Sequence, residues 1–404
     1  MSEFKKRKTS IYRTWQSVHD MDNMPPYIAT DNLKVTCPSE PNLVPVIAGG
    51  ATGGIVAAAV VIIIVIIVIR IRRKRAKDGE STGDGETNFG FDGEMKNLKK
   101  GSKTSIQKSQ FARKVEDLHA DSNLIFAKEY KVIKENSPSH ATEAAEQQST
   151  RNKNRYTNIL AYDHSRVKLL PTEDEEGSDY INANYIPGFN SQREYIATQG
   201  PQNCTKDDFW RMIWEQNVNV IVMLTQLIER GRRKCDQYWP NNTREPVFFG
   251  DLIVEMESES PMNDYILRVF SLKLGKNVKN VKHFQFLAWP DMGIPQTTEC
   301  MLYFVRGVRD HTPAQRRGPI VVHCSAGVGR TGTFIAVDHL MQHVRTHDHL
   351  DIFNLVLAMR DNRTNMVQTE DQYIFIHDCI KDYIEELEHE DEDAEDGNVI
   401  EERK

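Results

Sequence analysis

No two cysteines of this 404-residue chain stand in CxxC spacing, and a disulfide-dense framework is absent. Cys37, Cys204, Cys235, Cys300, Cys324 and Cys379 therefore read as free thiols. A basic excess is missing as well: 51 Lys and Arg face 58 Asp and Glu, a net charge of −7, so nothing points to a nucleic-acid partner. The imbalance is local, with basic residues crowded at 70–77 and acidic ones from Glu385 to Glu402. Residues 1–45 hold no Asn-x-Ser/Thr acceptor and no apolar core of the secretory type. Lys5–Lys8 is not followed by a hydrophobic run, so no signal peptide is visible.

One long apolar run is present. Val46–Ile69 comprises 24 residues without a charge. At about 1.5 Å per residue it crosses a hydrocarbon core of roughly 30 Å. Arg70, Arg72, Arg73, Lys74, Arg75 and Lys77 follow it, against only Lys34 within about fifteen residues on the other side. The positive-inside rule then predicts a single span with residues 1–45 outside and everything after residue 70 in the cytoplasm. The span is its own insertion signal, or a longer ectodomain precedes it; the sequence leaves both open. Gly49/Gly53 and Gly50/Gly54 form two overlapping GxxxG patterns. They read either as ordinary small-residue content or as the close-approach face of a homodimer.

Residues 70–108 show no periodicity and are rich in Gly, Ser, Thr, Lys and Asp, as expected of a disordered juxtamembrane linker. A folded domain is expected over 109–387, opening on helical patterning at Ser109–Lys134. Strand-like runs follow at Glu194–Ala197, Val218–Leu224, Leu252–Met256, Tyr265–Leu274, Val281–Ala288 and Pro319–His323. Helical signals occur at Lys206–Glu215, Met301–Arg309, Thr333–Arg345, Ile352–Asp361 and Thr369–Leu387. The last opens with Thr369 and Gln372 in capping-box spacing. This order predicts an α/β fold, a twisted mixed sheet flanked by helices, in addition to the membrane helix. Residues 388–404 are expected to be a solvated, disordered acidic tail.

Between the apolar run ending at His323 and the helix beginning near Thr333 lies Cys324-Ser325-Ala326-Gly327-Val328-Gly329-Arg330-Thr331-Gly332. A small-residue loop entering a helix offers unpaired N–H groups and the positive end of a helix dipole, an anion site. Gly327, Gly329 and Gly332 also spell the dinucleotide pattern GxGxxG, and Asp351 lies about twenty residues on. However, Asp351 reads as a helix start, and a nucleotide loop has no use for Cys324 and Arg330. Gly329-Arg330-Thr331 lacks the lysine of a Walker A loop. Cys-x5-Arg suits phosphate chemistry instead. A thiolate is the nucleophile, and a free cysteine near pKa 8.5 needs an electropositive cradle to form one. The planar fork of Arg330 matches two phosphate oxygens and the charge that develops on them.

With these motifs the sequence resembles the receptor-type protein tyrosine phosphatases with a single catalytic domain, over roughly residues 110–387. Lys153-Asn154-Arg155-Tyr156 is similar to the family's phosphotyrosine-recognition loop, and Asp179 to Ile186 to its following core motif. Glu229 through Lys234 to Tyr238-Trp239-Pro240 resembles the loop supporting the active-site arginine. Trp289-Pro290-Asp291 resembles the mobile acid loop, and Gln368 to Gln372 the glutamine loop.

The resemblance implies hydrolysis of phosphotyrosine in proteins, without a metal or other cofactor, by an enzyme of the plasma membrane. It implies Cys324 as nucleophile, Asp291 as general acid and then base, and Arg330 as phosphate clamp. Thr331 would assist breakdown of the intermediate, and Gln368 would position water. Ser325, Ala326, Gly327, Val328 and Gly329 would bind phosphate through their peptides, with Gln372 nearby. Tyr156 would line a slot too deep for phosphoserine. Asn158 stands where many relatives carry an aspartate that grips substrate backbone. His323 would orient the cysteine loop and Glu229 would pair with Arg330. His339, His343 and His347 repeat every four residues, but without an accompanying carboxylate or cysteine they do not read as a metal site. The competing readings are a catalytically inactive phosphatase-like scaffold, which Asp291 and Tyr156 disfavour, and a dual-specificity or lipid phosphatase, which the Tyr156 loop disfavours.

Overall fold

The computed structural model describes residues 104–401 apart from 174 and 313–317, with side chains to residue 390. The expected outer segment 1–45, the apolar run 46–69 with its GxxxG patterns, and most of the expected linker lie outside the described residues. Strand β1 (Ile106–Gln107) precedes helix α1 (Lys108–Glu135) and the short α2 (Glu143–Glu146). Strands β2 (Arg166–Lys168), β3 (Tyr180–Ile186) and β4 (Tyr195–Thr198) lead to α3 (Lys206–Glu215) and β5 (Val220–Met223). A tight hairpin, β6 (Ile228–Glu229) and β7 (Arg232–Arg233), comes next. Then follow β8 (Val247–Phe249), β9 (Leu252–Pro261), β10 (Tyr265–Leu274) and β11 (Asn277–Phe286). Helix α4 (Thr298–Asp310), β12 (Ile320–His323), α5 (Gly329–His343), β13 (His349–Leu350), α6 (Ile352–Asn362) and α7 (Glu370–Glu401) close the chain.

Nine strands form one mixed sheet in the order β2-β3-β4-β12-β5-β11-β10-β9-β8. Its centre, β4-β12-β5-β11, is parallel, and both flanks are antiparallel. Successive side chains of a strand point to opposite faces, so a strand covered on both sides must be apolar throughout. β12 meets this demand: Ile320 and Val322 enter the core under α1, α4, α5 and α7, and Val321 enters the core with Trp210 and Tyr238. Val220 and Val222 against Ile221 and Met223 repeat the pattern in β5. Each such side chain contributes about 1.5–3 kcal/mol when fully buried. The two cores clamp β12, and its C-terminal end becomes a rigid platform.

The mixed sheet flanked by helices agrees with the expected fold class, but the elements differ in detail. Residues 104–108 belong to the domain rather than the linker, because Ile106 and Gln107 pair with Leu350 and His349. Tyr180–Ile186 is a buried strand that the apolar pattern did not reveal, because Asn182 and Asn184 interrupt it. The helical segment 109–134 is two helices in one, broken at Ala120–Asn123 with Asp121, Ser122 and Asn123 in the left-handed region. His119 bridges that break, bonding Asn123 and, on α7, Asp378, each at 2.8 Å. Finally, α7 runs on to Glu401, past Leu387 where a disordered tail was expected. Helix propagation from a docked first half is far easier than nucleation, and Glu and Ala are good helix formers. Among the described residues no helix is long and apolar enough to cross a membrane.

Candidate active site

Cys324 directly follows β12, at the carboxyl ends of the parallel strands, where open α/β sheets place their sites. The chain then turns through Gly327 at φ +72, where an added Cβ would lie 2.1 Å from the carbonyl oxygen of Thr198. Glycine is required there on both counts. The Gly327 N–H donates to the sulfur of Cys324 at 3.2 Å. Helix α5 starts at Gly329, four residues earlier than the periodicity indicates. The glycines hide its first turn, whose unpaired N–H groups and dipole form part of the cradle.

A residue that sequence reasoning missed holds this loop in shape. Arg363 is fully buried and donates to the carbonyls of Gly327 (2.8 Å) and Ala326 (3.0 Å) and to the side-chain oxygens of Asn184 and Asn182 (both 2.7 Å). Because a trans peptide points its C=O and N–H oppositely, pulling those two carbonyls outward aims the N–H groups of Gly327 and Val328 inward. Burial draws the Arg363 guanidinium down to about 10, which leaves it charged at neutral pH. Arg363→Met is expected to lower stability by about 3–5 kcal/mol, since buried acceptors lose their donor. A urea midpoint unchanged from the parent would refute this role.

Arg330 reaches over the cradle from the first turn of α5. Two bonds to Glu229, at 2.7 and 3.0 Å, fix its fork, and Leu224 O accepts at 3.0 Å. Burial alone would raise the Glu229 carboxyl, but Arg330, Thr225 and the Gln226 N–H outweigh it and hold the group at about 2. A depressed carboxyl stabilises the fold above its unfolded value near 4.3 and loses that contribution as pH falls through about 2. Arg330 also donates to the carbonyls of Pro290 (3.1 Å) and Asp291 (3.4 Å), so the loop carrying Asp291 is seated on the same arginine. The Asp291 carboxylate lies 3.0 Å from Lys234 and 3.3 Å from Arg230. From the sequence Lys234 was named only as part of the loop supporting Arg330, and Arg230 was not singled out.

Tyr156 stands opposite. Ser325 gives its proton to Lys234 O at 2.8 Å, so the Tyr156 hydroxyl donates to Ser325 Oγ at 2.8 Å. Behind it, Asn154 bonds Asn182 at 2.9 Å and Tyr180, which ties this wall to the loop held by Arg363. On the remaining side Gln372 Oε1 accepts from the N–H groups of Gln368 (2.9 Å) and Thr369 (3.4 Å). Thr369 Oγ1 accepts from Gln372 N at 3.2 Å, completing the capping box that starts α7.

The resulting cleft has a volume of about 520 Å3 and is lined by Tyr156, Asn158, Glu229, Asp291, Cys324, Ser325, Ala326, Gly329, Arg330, Gln368 and Gln372, together with Lys234 and Met292. Gly327, Val328, Thr331 and His323 are not part of that lining. Val328, Thr331 and His323 are fully buried. The Thr331 hydroxyl has no hydrogen-bond partner among the described residues. His323 Nδ1 lies 3.1 Å from Cys324 O and its Nε2 2.7 Å from the Tyr238 hydroxyl, which also meets His283 Nε2 at 2.8 Å. Burial pushes His323 down to about 4, so the ring is neutral. Nδ1 then donates to Cys324 O, and Nε2 accepts from Tyr238.

His339, His343 and His347 stand in a row, the first two rings 6.1 Å apart. His343 and His347 stack at 4.2 Å, and Phe189 meets all three rings edge-on. Among the described residues no group of three or more His, Cys, Asp and Glu is arranged to hold a metal ion.

A sequence profile of the family described as Protein-tyrosine phosphatase matches residues 150–382. The chain is 39% identical over 354 residues to the receptor-type tyrosine-protein phosphatase eta of Homo sapiens, covering 87% of this chain and 25% of that protein. It is 46% identical over 271 residues to the eta phosphatase of Mus musculus, covering 66% of this chain and 21% of that protein. The match to receptor-type tyrosine-protein phosphatase F of Danio rerio is 47% over 277 residues, 68% of this chain and 14% of that protein. The chain thus spans a quarter or less of the length of these curated relatives.

Proposed function

The chain belongs to the protein-tyrosine phosphatase family, and on that premise we propose that it hydrolyses phosphotyrosine in proteins through a cysteinyl-phosphate intermediate. The observation that carries this reading is the sulfur of Cys324 at the base of a peptide cradle, 3.2 Å from the Gly327 N–H, with Arg330 fixed above it by Glu229.

A phosphate dianion entering the cleft meets inward N–H groups, the α5 dipole and the Arg330 fork. Cys324 attacks phosphorus, the S–P bond forms and the bond to the phenolic oxygen breaks. A phenolate whose conjugate acid has a pKa near 10 leaves poorly, so Asp291 protonates it. In the second step Gln368 and Gln372 hold a water, Asp291 takes its proton, and the S–P bond breaks to release phosphate. The unpartnered Thr331 hydroxyl is a donor for the thiolate that reforms. Tyr156 and the Asn158 side chain at the rim favour a long aromatic ester over a short alkyl one.

We place this chemistry beneath a membrane, on the strength of the apolar run 46–69 and the cations that follow it. The test uses the full chain, a phosphotyrosine peptide, its phosphoserine counterpart and a chelator. Phosphate release from the first alone is expected. Binding of the phosphotyrosine peptide without release would overturn the reading in favour of a scaffold.

A further inference from the structure

Val367 is β-branched and fully buried, yet sits at φ +56, in the left-handed region that such side chains avoid. A backbone of this kind persists only where its surroundings over-determine it, and such positions gather at functional sites. Three bonds do so here. The Val367 N–H donates to Val328 O, in the phosphate loop, at 3.2 Å. Its carbonyl accepts from Arg360 at 2.7 Å and from the Tyr130 hydroxyl at 3.0 Å. Arg360 in turn donates to the Tyr130 oxygen at 3.1 Å, so the one phenolic proton is committed to Val367. Gly332 leaves the room this requires, since an added Cβ would lie 2.5 Å from the Val367 nitrogen.

Tyr130 belongs to α1, ahead of the region 150–382 that the family profile matches. Its neighbour Glu129 accepts from the Tyr373 hydroxyl at 3.0 Å, one residue beyond Gln372. The N-terminal helix therefore grips both ends of the segment that carries Gln368 and Gln372.

We infer that Tyr130 is a positioning residue for the water step: through the Val367 carbonyl it sets where Gln368, the next residue, stands. The inference rests on the phosphatase reading above. Formation of the cysteinyl-phosphate draws on Cys324, Arg330 and Asp291; its hydrolysis draws also on Gln368. Loss of the Tyr130 hydroxyl therefore slows the second step and spares the first.

Tyr130→Phe in the full chain tests this by stopped-flow with 4-nitrophenyl phosphate. The burst of nitrophenolate is expected to keep its rate within about twofold, with kcat/KM unchanged and kcat and KM falling together. The steady phase is expected to slow about three- to tenfold, the range that a single buried hydrogen bond commands. More phosphoenzyme should be trapped on acid quench. Ser137→Ala removes the other N-terminal partner of Arg360, a bond of 2.8 Å, and should slow the same phase by less. If Tyr130→Phe fails to fold, Ser137→Ala carries the test on the same criterion. Slowing of both phases together, or of neither, overturns the inference while the phosphatase reading stands. A parent chain that releases no nitrophenolate overturns both.

Discussion

Cys324→Ser is expected to abolish turnover, by roughly 10⁵–10⁶-fold, the scale on which an enzyme loses rate without its covalent nucleophile. A serine hydroxyl has nearly the shape of the thiol but does not ionise at neutral pH, and among the described residues the Gly327 N–H, not a general base, is bonded to the side chain of residue 324. The cradle is unaffected, because its N–H groups are aimed by Arg363 and by helix α5 rather than by the sulfur. Binding of a phosphotyrosine peptide should therefore persist. Phosphate release and fluorescence anisotropy on the same preparation separate the two effects. Residual turnover within about a hundredfold of the parent would mean that another residue attacks phosphorus.

Asp291→Ala should reduce kcat for aryl phosphates with ordinary phenol leaving groups by about 10²–10⁴, the usual contribution of a positioned general acid. The loop itself should stay seated, because Arg330 holds it through the backbone carbonyls of Pro290 and Asp291. Arg230 loses its carboxylate partner and Lys234 keeps only Glu229, at 3.6 Å, so positive charge beside the cleft rises and substrate affinity is retained. The diagnostic is the leaving group. The rate deficit should shrink as the phenol becomes more acidic, because a stable phenolate needs no proton. A deficit equal across a series of substituted aryl phosphates would remove Asp291 from the acid role.

Much of the site was legible in the chain. Cys324, Arg330 and the glycines between them form one local unit, a strand end, a turn and a first helical turn, so their spacing alone carries the geometry. The capping box of Thr369 and Gln372 was legible for the same reason, since the residues lie on a single helical turn. Runs of apolar residues marked β5, β10 and β12, but that signal failed for β3. Asn182 and Asn184 occupy buried positions of that strand, and a run interrupted by amides does not look like a core strand.

Arg363 gave no local sign of its place. In Arg360-Asp361-Asn362-Arg363 it looks like one more solvated charge, whereas both arginines are buried. Its amide partners lie 179 and 181 residues away, and Tyr130 lies 237 residues from the carbonyl it holds.

The sequence by itself carried the chemical expectation: a cysteine and an arginine at loop-to-helix spacing, an aspartate loop, and an apolar run followed directly by a cluster of cations. These rest on neighbouring residues and on helical and strand periodicity, which act over a few residues. Tertiary structure alone decided which groups aim that chemistry. Arg363 turns the loop peptides and Tyr130 holds a strained valine beside the glutamine loop, whereas the pairing of Glu229 with Arg330 was already implied by the family resemblance. Hydrogen bonds between distant segments exist only once two hydrophobic cores have brought those segments together, and no pattern along the chain records them.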